Sequence, residues 1–290
     1  MAPFGAFLGF VVAALMVSAV LHYPLFLLLG QLGDVRPHKI LTRTAMVLAA
    51  LGLFPLLRRL GLARRAALGL DVPSTLLRRS VLVGWVTGVA MILAMGALLL
   101  AAGARVWSPE PLARLPGQLA VALLAGLLVA VIEETFLRGA MYGAIRRHSS
   151  ALFSAAATAF IYAILHFLRP PALPAGEEVG WSSGLWLLAH GFDGLWEKGL
   201  WDSLVALFAV GFFLAMVRER TGHIGWCIGL HAGWVFVIKL LKDCTSLDGD
   251  APAAVLVGGY DGVTGWLAAV WIGVPAVVLW LLARRTQPSG

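Results

Sequence analysis

Long apolar runs separated by short polar stretches dominate the chain. Eight such segments can be distinguished, and Gly, Pro or charged residues bound each of them. Because a backbone surrounded by lipid must satisfy its own hydrogen bonds, runs of this length predict helices. We therefore predict an all-α polytopic membrane protein with about eight transmembrane helices, at roughly 20 residues per span. The predicted segments are 4–30, 41–60, 80–104, 117–145, 151–169, 203–217, 223–241 and 264–283.

Composition supports a membrane location. The 290 residues are 60% hydrophobic and 13% charged, and their mean hydropathy is +0.88. A soluble domain is about half apolar and about a quarter charged, so a water-soluble globule is excluded. The net charge of +7 would favour nucleic-acid binding in a soluble protein. Here the arginines cluster in short loops, where they contact anionic lipid. We predict membrane lipids as partners and no nucleic acid.

The distribution of basic residues predicts the orientation. The loops after the second, fourth and sixth segments and the C-terminal tail fall on one side of an eight-span protein. That side carries 12 Lys and Arg, the other side carries 9, and Arg138 lies within a segment. By the positive-inside rule the richer side is cytoplasmic. We expect an integral protein of a bacterial-type plasma membrane with both termini in the cytoplasm. Because the first basic residue is Arg36, no cleavable signal peptide is expected.

Charged residues inside the fourth segment are the strongest functional signal. Glu133, Glu134 and Arg138 lie within six residues of each other, and each charge at mid-membrane costs roughly 2.5–3.5 kcal/mol. Glu134 and Arg138 are four residues apart and can pair on one helix face. Glu133 lies about 100° around the helix from Glu134 and is left as a candidate general base. The alternative is a purely structural ion pair between helices.

Two histidines in later segments reach a similar depth. His166 lies in the fifth segment, one turn after Tyr162, and His231 lies in the seventh. At 1.5 Å per residue, Glu133 and both histidines lie roughly 16–24 Å above one membrane face. A common depth predicts a polar catalytic cavity between helices four, five and seven. No HExxH, Walker, GxSxG or dinucleotide-binding motif accompanies them.

Three motifs resemble those of a known family. EETFLR at Glu133–Arg138 resembles the EExxxR motif of the CPBP intramembrane proteases, also called the ABI or CAAX-protease family. YAILH at Tyr162–His166 resembles the FxxxH motif of that family, with Tyr162 in place of Phe. HAGWV at His231–Val235 resembles HxxxN or HxxxD, with Val235 in place of Asn or Asp. The resemblance covers roughly residues 115–245.

The resemblance implies an intramembrane endopeptidase. Glu133, assisted by His166, would activate a water for attack on the scissile carbonyl, and His231 would stabilise the oxyanion. Supporting residues would be Glu134, Arg138 and Tyr162. The metal-free glutamate mechanism is favoured, with no cofactor. The alternative is a zinc metalloprotease in which Glu134, His166 and His231 bind Zn²⁺.

The resemblance also divides the chain and suggests its partners. Residues 1–112 would be N-terminal transmembrane helices, 113–245 a catalytic core, and 246–290 a loop with a C-terminal transmembrane helix. The family includes CAAX prenyl endopeptidases and bacteriocin-processing or self-immunity proteins. A membrane-associated peptide or protein is therefore the expected substrate, either prenylated or a leader peptide.

Two other functions remain open. Buried Glu, His and Arg residues also form proton relays, so a proton-coupled transporter is one alternative. Val235 offers no hydrogen-bond donor and favours a second alternative, a non-catalytic family member that binds a membrane peptide. In addition, the tryptophan-rich loop 170–202 predicts an interfacial or re-entrant helix over residues 184–200.

Overall fold

The computed structural model describes residues 2–33, 35–108, 114–196 and 200–285. Most of the described residues are helical. The helices in chain order are α1 (Ala2–Gly30), α2 (Pro37–Arg59), α3 (Ser74–Ala101), α4 (Leu115–Glu134), α5 (Tyr142–Arg146), α6 (Ala151–His166), α7 (Ser183–Ala189), α8 (Trp201–Thr221), α9 (Gly225–Cys244) and α10 (Trp266–Arg285). A π-helical segment, Thr135–Met141, joins α4 to α5, and short 3-10 turns occupy Asp193–Trp196 and Pro252–Leu256.

Each of the eight predicted apolar segments coincides with a helix, and the prediction of an all-helical membrane protein is confirmed. Among the described residues, five helices are long and apolar enough to cross a membrane. They are Phe4–Gly30, Pro37–Arg59, Ser74–Ala101, Leu115–Arg146 and Trp201–Thr221, and two shorter apolar helices are Ala151–His166 and Trp266–Leu282. The chain is therefore an integral membrane protein. The count of eight spans and the orientation of the termini stay predictions.

Several helix ends differ from the predicted segments. α2 begins at Pro37, because proline lacks an N–H that the first turn does not need. α8 was predicted as a marginal segment over 203–217, but it extends to Thr221 and ends at Gly222, whose φ is 74°. The predicted segment ended at residue 217 because the next residues, Arg218 to Thr221, are polar. In the structure these residues continue the helix.

A two-stranded antiparallel ribbon was not predicted. Strands β1 (Arg105–Trp107) and β2 (Thr245–Leu247) pair with Val106 opposite Ser246. Arg105 is buried and donates to Thr245 O at 2.7 Å and to Thr245 Oγ1 at 2.6 Å. These bonds satisfy polar groups where α9 ends. Strands of three residues are too short to show an alternating pattern in the sequence. The ribbon pairs residues 105–107 with residues 245–247, which span the predicted boundary between the second and third parts, and the three-part division stays a prediction.

The contacts divide the chain into two compact units, and the first comprises residues 1–63 and 164–198. Here α7 packs closely on α1, since a Cβ at Gly184 would lie 2.7 Å from His22 Cβ. His22 is buried and donates from Nε2 to Pro37 O at 3.1 Å. Within the predicted interfacial stretch 184–200, the described residues include most of the short helix α7 and the 3-10 turn Asp193–Trp196, and residues 197–199 lie outside the described residues. Its position relative to a membrane surface stays a prediction.

The second unit comprises residues 64–163 and 199–290, and α9 is its central helix. A Cβ at Gly88 of α3 would lie 2.5 Å from Leu230 O, and a Cβ at Gly126 of α4 would lie 2.7 Å from Ala232 O. Glycine at these two contacts lets the helix backbones approach closely, as is typical of membrane helix pairs. This close packing fixes the depth and rotation of α9, which carries His231.

Candidate active site

The backbone carrying the two glutamates changes its winding immediately after them. α4 ends at Glu134, and Thr135–Met141 form a π-helical segment before α5 resumes the α-helix. The sequence predicted one regular helix over 117–145. The segment is indeed helical throughout, but residues 135–141 form a π-helix instead of an α-helix. π-Helical turns are rare and occur frequently at functional sites. The segment carries Arg138 on the turn that follows Glu134.

Glu134 is the centre of a buried network. Its Oε1 lies 2.8 Å from Arg138 Nη1 and 2.8 Å from His231 Nδ1. The side chains of Glu134 and Arg138 are 0% exposed. Arg138 Nη2 also donates to Gly211 O in α8, at 3.1 Å. Four elements thus converge on one ion pair. Gly211 was missed from the sequence, because a backbone acceptor has no residue-type signature.

Glu133 is the more accessible of the two acids. Its side chain is 26% exposed, and its Oε2 lies 3.9 Å from His231 Nε2. This separation is too long for a direct hydrogen bond, but one water can bond both atoms. Within the described ranges, Glu133 Oε2 and Glu134 Oε2 are buried atoms with no hydrogen-bond partner. The structure thus places unused acceptors beside the imidazole.

Tyr162 lies between the arginine and the imidazole. Its ring centroid is 4.8 Å from the Arg138 guanidinium carbon, a cation–π distance. The same ring stands edge-on to His231, with centroids 6.2 Å apart. A Cβ at Gly211 would lie 3.2 Å from Tyr162 Cδ1. These contacts use the aromatic ring of Tyr162.

His166 is the last residue of α6, one turn after Tyr162 along the helix. Residues 164–198 belong to the first compact unit, whereas the two glutamates and His231 belong to the second. The structure therefore brings Glu133, Glu134 and His231 together, while the assignment of His166 to the same cavity stays a prediction.

The residues around His231 on α9 differ in chemical character. Cys227 is buried and donates from Sγ to Leu214 O at 3.3 Å. Val235, one turn after His231, is half-buried and adds no polar group. Trp234 is 3% exposed, and its ring centroid lies 5.8 Å from that of Phe213. The Nε1–H of Trp234 has no acceptor in the part of the chain that the structure describes. Sequence reasoning missed Trp234, although its i+3 spacing from His231 placed it on the same helix face.

The contacts of Glu134 bear on the zinc alternative. Its Oε1 is already bonded to both Arg138 and His231, so that atom has no free position for a metal. Among the described residues, no group of three His, Cys, Asp or Glu side chains is arranged to hold a metal ion. The other oxygen, Glu134 Oε2, has no partner among the described residues. The choice between the metal-free and the zinc mechanism therefore stays a prediction, and the mechanism below derives no step through a metal.

One comparison with known proteins gives a match. Residues 115–237 match a family model described as Rce1-like, type II CAAX prenyl endopeptidase Rce1-like. This range contains all three motifs, and the predicted resemblance to the CPBP or CAAX-protease family is confirmed. A comparison with curated proteins finds no match. A comparison with solved structures finds none either.

Proposed function

We propose that this protein is an intramembrane endopeptidase in which Glu133 activates the water that hydrolyses a peptide bond. The single observation that carries the proposal is the pair of atoms Glu133 Oε2 and His231 Nε2, 3.9 Å apart in a nearly buried site. The family match over residues 115–237 supports the reaction class. The network around Glu134 supports the division of roles between the two acids.

Glu133 is the general base because it alone combines access with a free acceptor. Its side chain is partly exposed, whereas that of Glu134 is fully buried. A base must reach the proton that it removes directly or through one water. Glu133 takes a proton from the water as the hydroxide bonds to the carbonyl carbon. The carboxylic acid then gives that proton to the amide nitrogen, and the C–N bond breaks.

Glu134 and Arg138 are positioning residues for His231. Glu134 Oε1 accepts a hydrogen bond from His231 Nδ1, and the same oxygen accepts a hydrogen bond from Arg138 Nη1. A carboxylate on one ring nitrogen fixes the orientation of an imidazole and directs the other nitrogen toward the reaction. Here that other nitrogen is Nε2, which faces Glu133. His166 is proposed to assist Glu133 in orienting the water.

Oxyanion stabilisation is assigned to His231 and Trp234. His231 donates from both ring nitrogens only as the imidazolium, so this is the form that the proposal requires. Val235 cannot donate, but the Trp234 indole N–H on the same face of α9 is buried and has no acceptor among the described residues. A buried donor normally has a partner. We assign the developing oxyanion as the partner of Trp234.

The oxyanion assignment is tested with two matched tryptophans. Trp234→Phe removes the N–H and keeps an aromatic ring, and we expect kcat to fall by about 10²–10³-fold with KM nearly unchanged. The control is Trp85→Phe, since Trp85 Nε1 is also a buried donor without an acceptor in the described chain. The Trp85 ring also packs against an aromatic ring, that of Phe236, with the ring centroids 5.4 Å apart. Equal rates in both variants would remove Trp234 from the mechanism.

The proposed substrate is a membrane-associated peptide or protein. The matched family model is named for CAAX prenyl endopeptidases, so a prenylated C-terminal peptide is the first candidate and a leader peptide is the second. Reporter peptides of identical sequence, with and without a prenyl group, separate these classes. Preferential cleavage of the prenylated reporter supports the CAAX-type reaction, and cleavage of an N-terminal leader reporter alone supports the leader-type reaction.

The whole proposal is tested in cells. Membrane peptides from cells carrying the wild type and Glu133→Gln are compared by mass spectrometry. We expect cleavage products that appear with the wild type and are missing with Glu133→Gln, although both proteins insert at equal levels. Identical peptide patterns would contradict the hydrolase.

A second candidate function follows from Val235. Because this position lacks a polar group, the protein is also a candidate for a non-catalytic receptor of membrane peptides. In that case Glu133→Ala leaves the biological effect of the protein intact, whereas a hydrolase loses it.

A further inference from the structure

Arg218, near the C-terminal end of α8, is a half-buried arginine that makes no direct ion pair with a described residue. Its Nε is fully buried and has no acceptor among the described residues. The guanidinium makes no hydrogen bond or ion pair with any residue that the structure describes. Arginine keeps its charge at physiological pH, and a buried charge is costly unless it is paired. This side chain therefore has room for an anion that bonds to it directly, which no described residue does.

The neighbouring acid is already neutralised. Both carboxylate oxygens of Glu219 accept a hydrogen bond from Arg146 Nε, each at 3.1 Å. Arg146 Nη2 donates to the same carboxylate at 3.0 Å, and Tyr142 Oη donates to it at 2.5 Å. Glu219 bonds directly to Arg146, and it acts on Arg218 only as a nearby charge, without a hydrogen bond. The other acid in this part of the chain, Asp71, is exposed and makes no ion pair with a described residue.

A glycine makes room for the guanidinium. A Cβ at Gly69 would lie 2.6 Å from both the guanidinium carbon and Nη2 of Arg218. Gly69 has φ 66°, and its carbonyl accepts a hydrogen bond from Ile224 N at 3.1 Å. A Cβ at Gly143 would lie 2.7 Å from Ala67 O, so the loop 64–70 is packed tightly. Arg218 thus lies against a fixed backbone rather than extending freely into solvent.

The surroundings carry an excess of positive charge. Six arginines belong to the loop 64–70 and to the ends of α5 and α8, namely Arg64, Arg65, Arg146, Arg147, Arg218 and Arg220. His223 is buried, and burial together with the nearby charge of Arg218 lowers the pKa of His223. The histidine is then neutral near pH 7, and the arginines alone determine the charge of this region.

We propose that Arg218 is the main ligand of a phosphate-ester site occupied by the headgroup of an anionic phospholipid. The planar guanidinium fork matches phosphate oxygens in geometry and charge. Arg218 lies three residues before the end of a helix that is long and apolar enough to span a membrane, which is the level of lipid headgroups. The site is independent of the proposed peptidase chemistry and goes beyond it.

The test compares two arginines of the same helix. Arg218 is half-buried and unpaired, whereas Arg220 is exposed and donates only to Leu282 O, at 3.4 Å. Wild type, Arg218→Gln and Arg220→Gln are purified with equal phosphatidylglycerol and phosphatidylcholine, and retained lipid is measured by native mass spectrometry. We expect retained phosphatidylglycerol to fall at least tenfold in Arg218→Gln, against less than twofold in Arg220→Gln. Equal retention by the two variants would overturn the site.

A second measurement uses only the wild type, so that it does not depend on how the variants fold. Phenylglyoxal modifies accessible arginines, and peptide mass spectrometry reports Arg218 and Arg220 separately. In phosphatidylcholine nanodiscs, we expect added phosphatidylglycerol to protect Arg218 and leave Arg220 reactive. Equal protection by inorganic phosphate alone would support phosphate chemistry but overturn the lipid as its source. No protection by either would overturn the site.

Discussion

Two glutamates in the same compact unit, the half-buried Glu219 and the fully buried Glu134, have opposite surroundings. Both carboxylate oxygens of Glu219 accept hydrogen bonds from Arg146, and Oε2 also accepts a hydrogen bond from the Tyr142 hydroxyl. In Glu134, only Oε1 accepts hydrogen bonds, from Arg138 and from His231, and Oε2 has no partner among the described residues. The adjacent Glu133 has a similar unused oxygen. A structural ion pair uses all of its acceptors, whereas a reactive site retains acceptors for water and substrate.

The largest expected difference is in the rate of peptide cleavage, between variants of the site that contains Glu133 and Glu134 and variants of the Glu219 ion pair. Glu133→Gln removes the proposed base and is expected to lower kcat by about 10²–10⁴-fold. Glu219→Gln lies outside the proposed reaction, so its folded fraction should cleave at nearly the wild-type rate. Purified variants are compared with one reporter peptide, with the rate corrected for folded protein. A similar loss of cleavage rate in both variants would contradict the assignment of Glu133 to catalysis and of Glu219 to structure.

His166 extends the rate comparison to α6. We expect His166→Ala to abolish measurable cleavage while the protein still inserts and folds, because the histidine assists the base. Phe160→Ala on the same helix is the control, since Phe160 is an exposed apolar residue of α6 outside the proposed site, and it should retain turnover. Retained turnover in His166→Ala would remove this residue from the proposed site.

The next largest effect is on stability. Arg138→Gln breaks the fully buried ion pair with Glu134 and leaves His231 as the remaining partner of the carboxylate. Breaking a buried ion pair costs about 3–5 kcal/mol of unfolding free energy. Arg146→Gln removes the corresponding partner of Glu219, but the Arg146 side chain is 35% exposed. Solvent screening limits that loss to about 1 kcal/mol. Denaturant unfolding in detergent measures both, and a larger loss for Arg146→Gln would reverse our ranking of the two ion pairs.

A smaller effect is expected at Val235. Val235→Asn should be tolerated, because the side chains have similar volumes and the position is only half-buried. A buried amide still needs hydrogen-bond partners, which the polar site next to His231 supplies. Expression level and cleavage rate are the measurements. A variant that no longer accumulates in the membrane would indicate apolar surroundings at this position.

The smallest expected effect is a pH dependence at the basic end of the unit. The pKa of His223 is lowered from 6.5 by burial and by the charge of Arg218. The unfolded chain therefore binds a proton more readily than the folded chain does. The stability that neutral His223 contributes is present above pH 6.5 and is lost as the pH falls below that value. The melting temperature of the wild type should fall more steeply on acidification than that of His223→Gln, and equal slopes would contradict this.

Much of the site was accessible from the sequence because charge is costly in an apolar helix. Glu133, Glu134 and Arg138 stand out for that reason, and the i, i+4 spacing of Glu134 and Arg138 favours the ion pair that the structure contains. The bond from His231 to Glu134 was not predicted, because the rotation of α9 against α4 depends on close contacts such as that of Gly126 with Ala232. The π-helical segment was missed because its residues are compatible with an ordinary α-helix.

By itself the sequence determined the apolar helices, the membrane location, the three motifs and the excess of arginine, since all of these follow from residue type and spacing along one segment. Only the tertiary structure decided which acid is fully buried, which nitrogen of His231 faces Glu133, and which half-buried arginine makes no direct ion pair with a described residue. The physical reason is that these properties depend on atoms from separate helices. Hydrogen bonds and desolvation act over a few ångströms in space, and no local pattern in the chain records those distances.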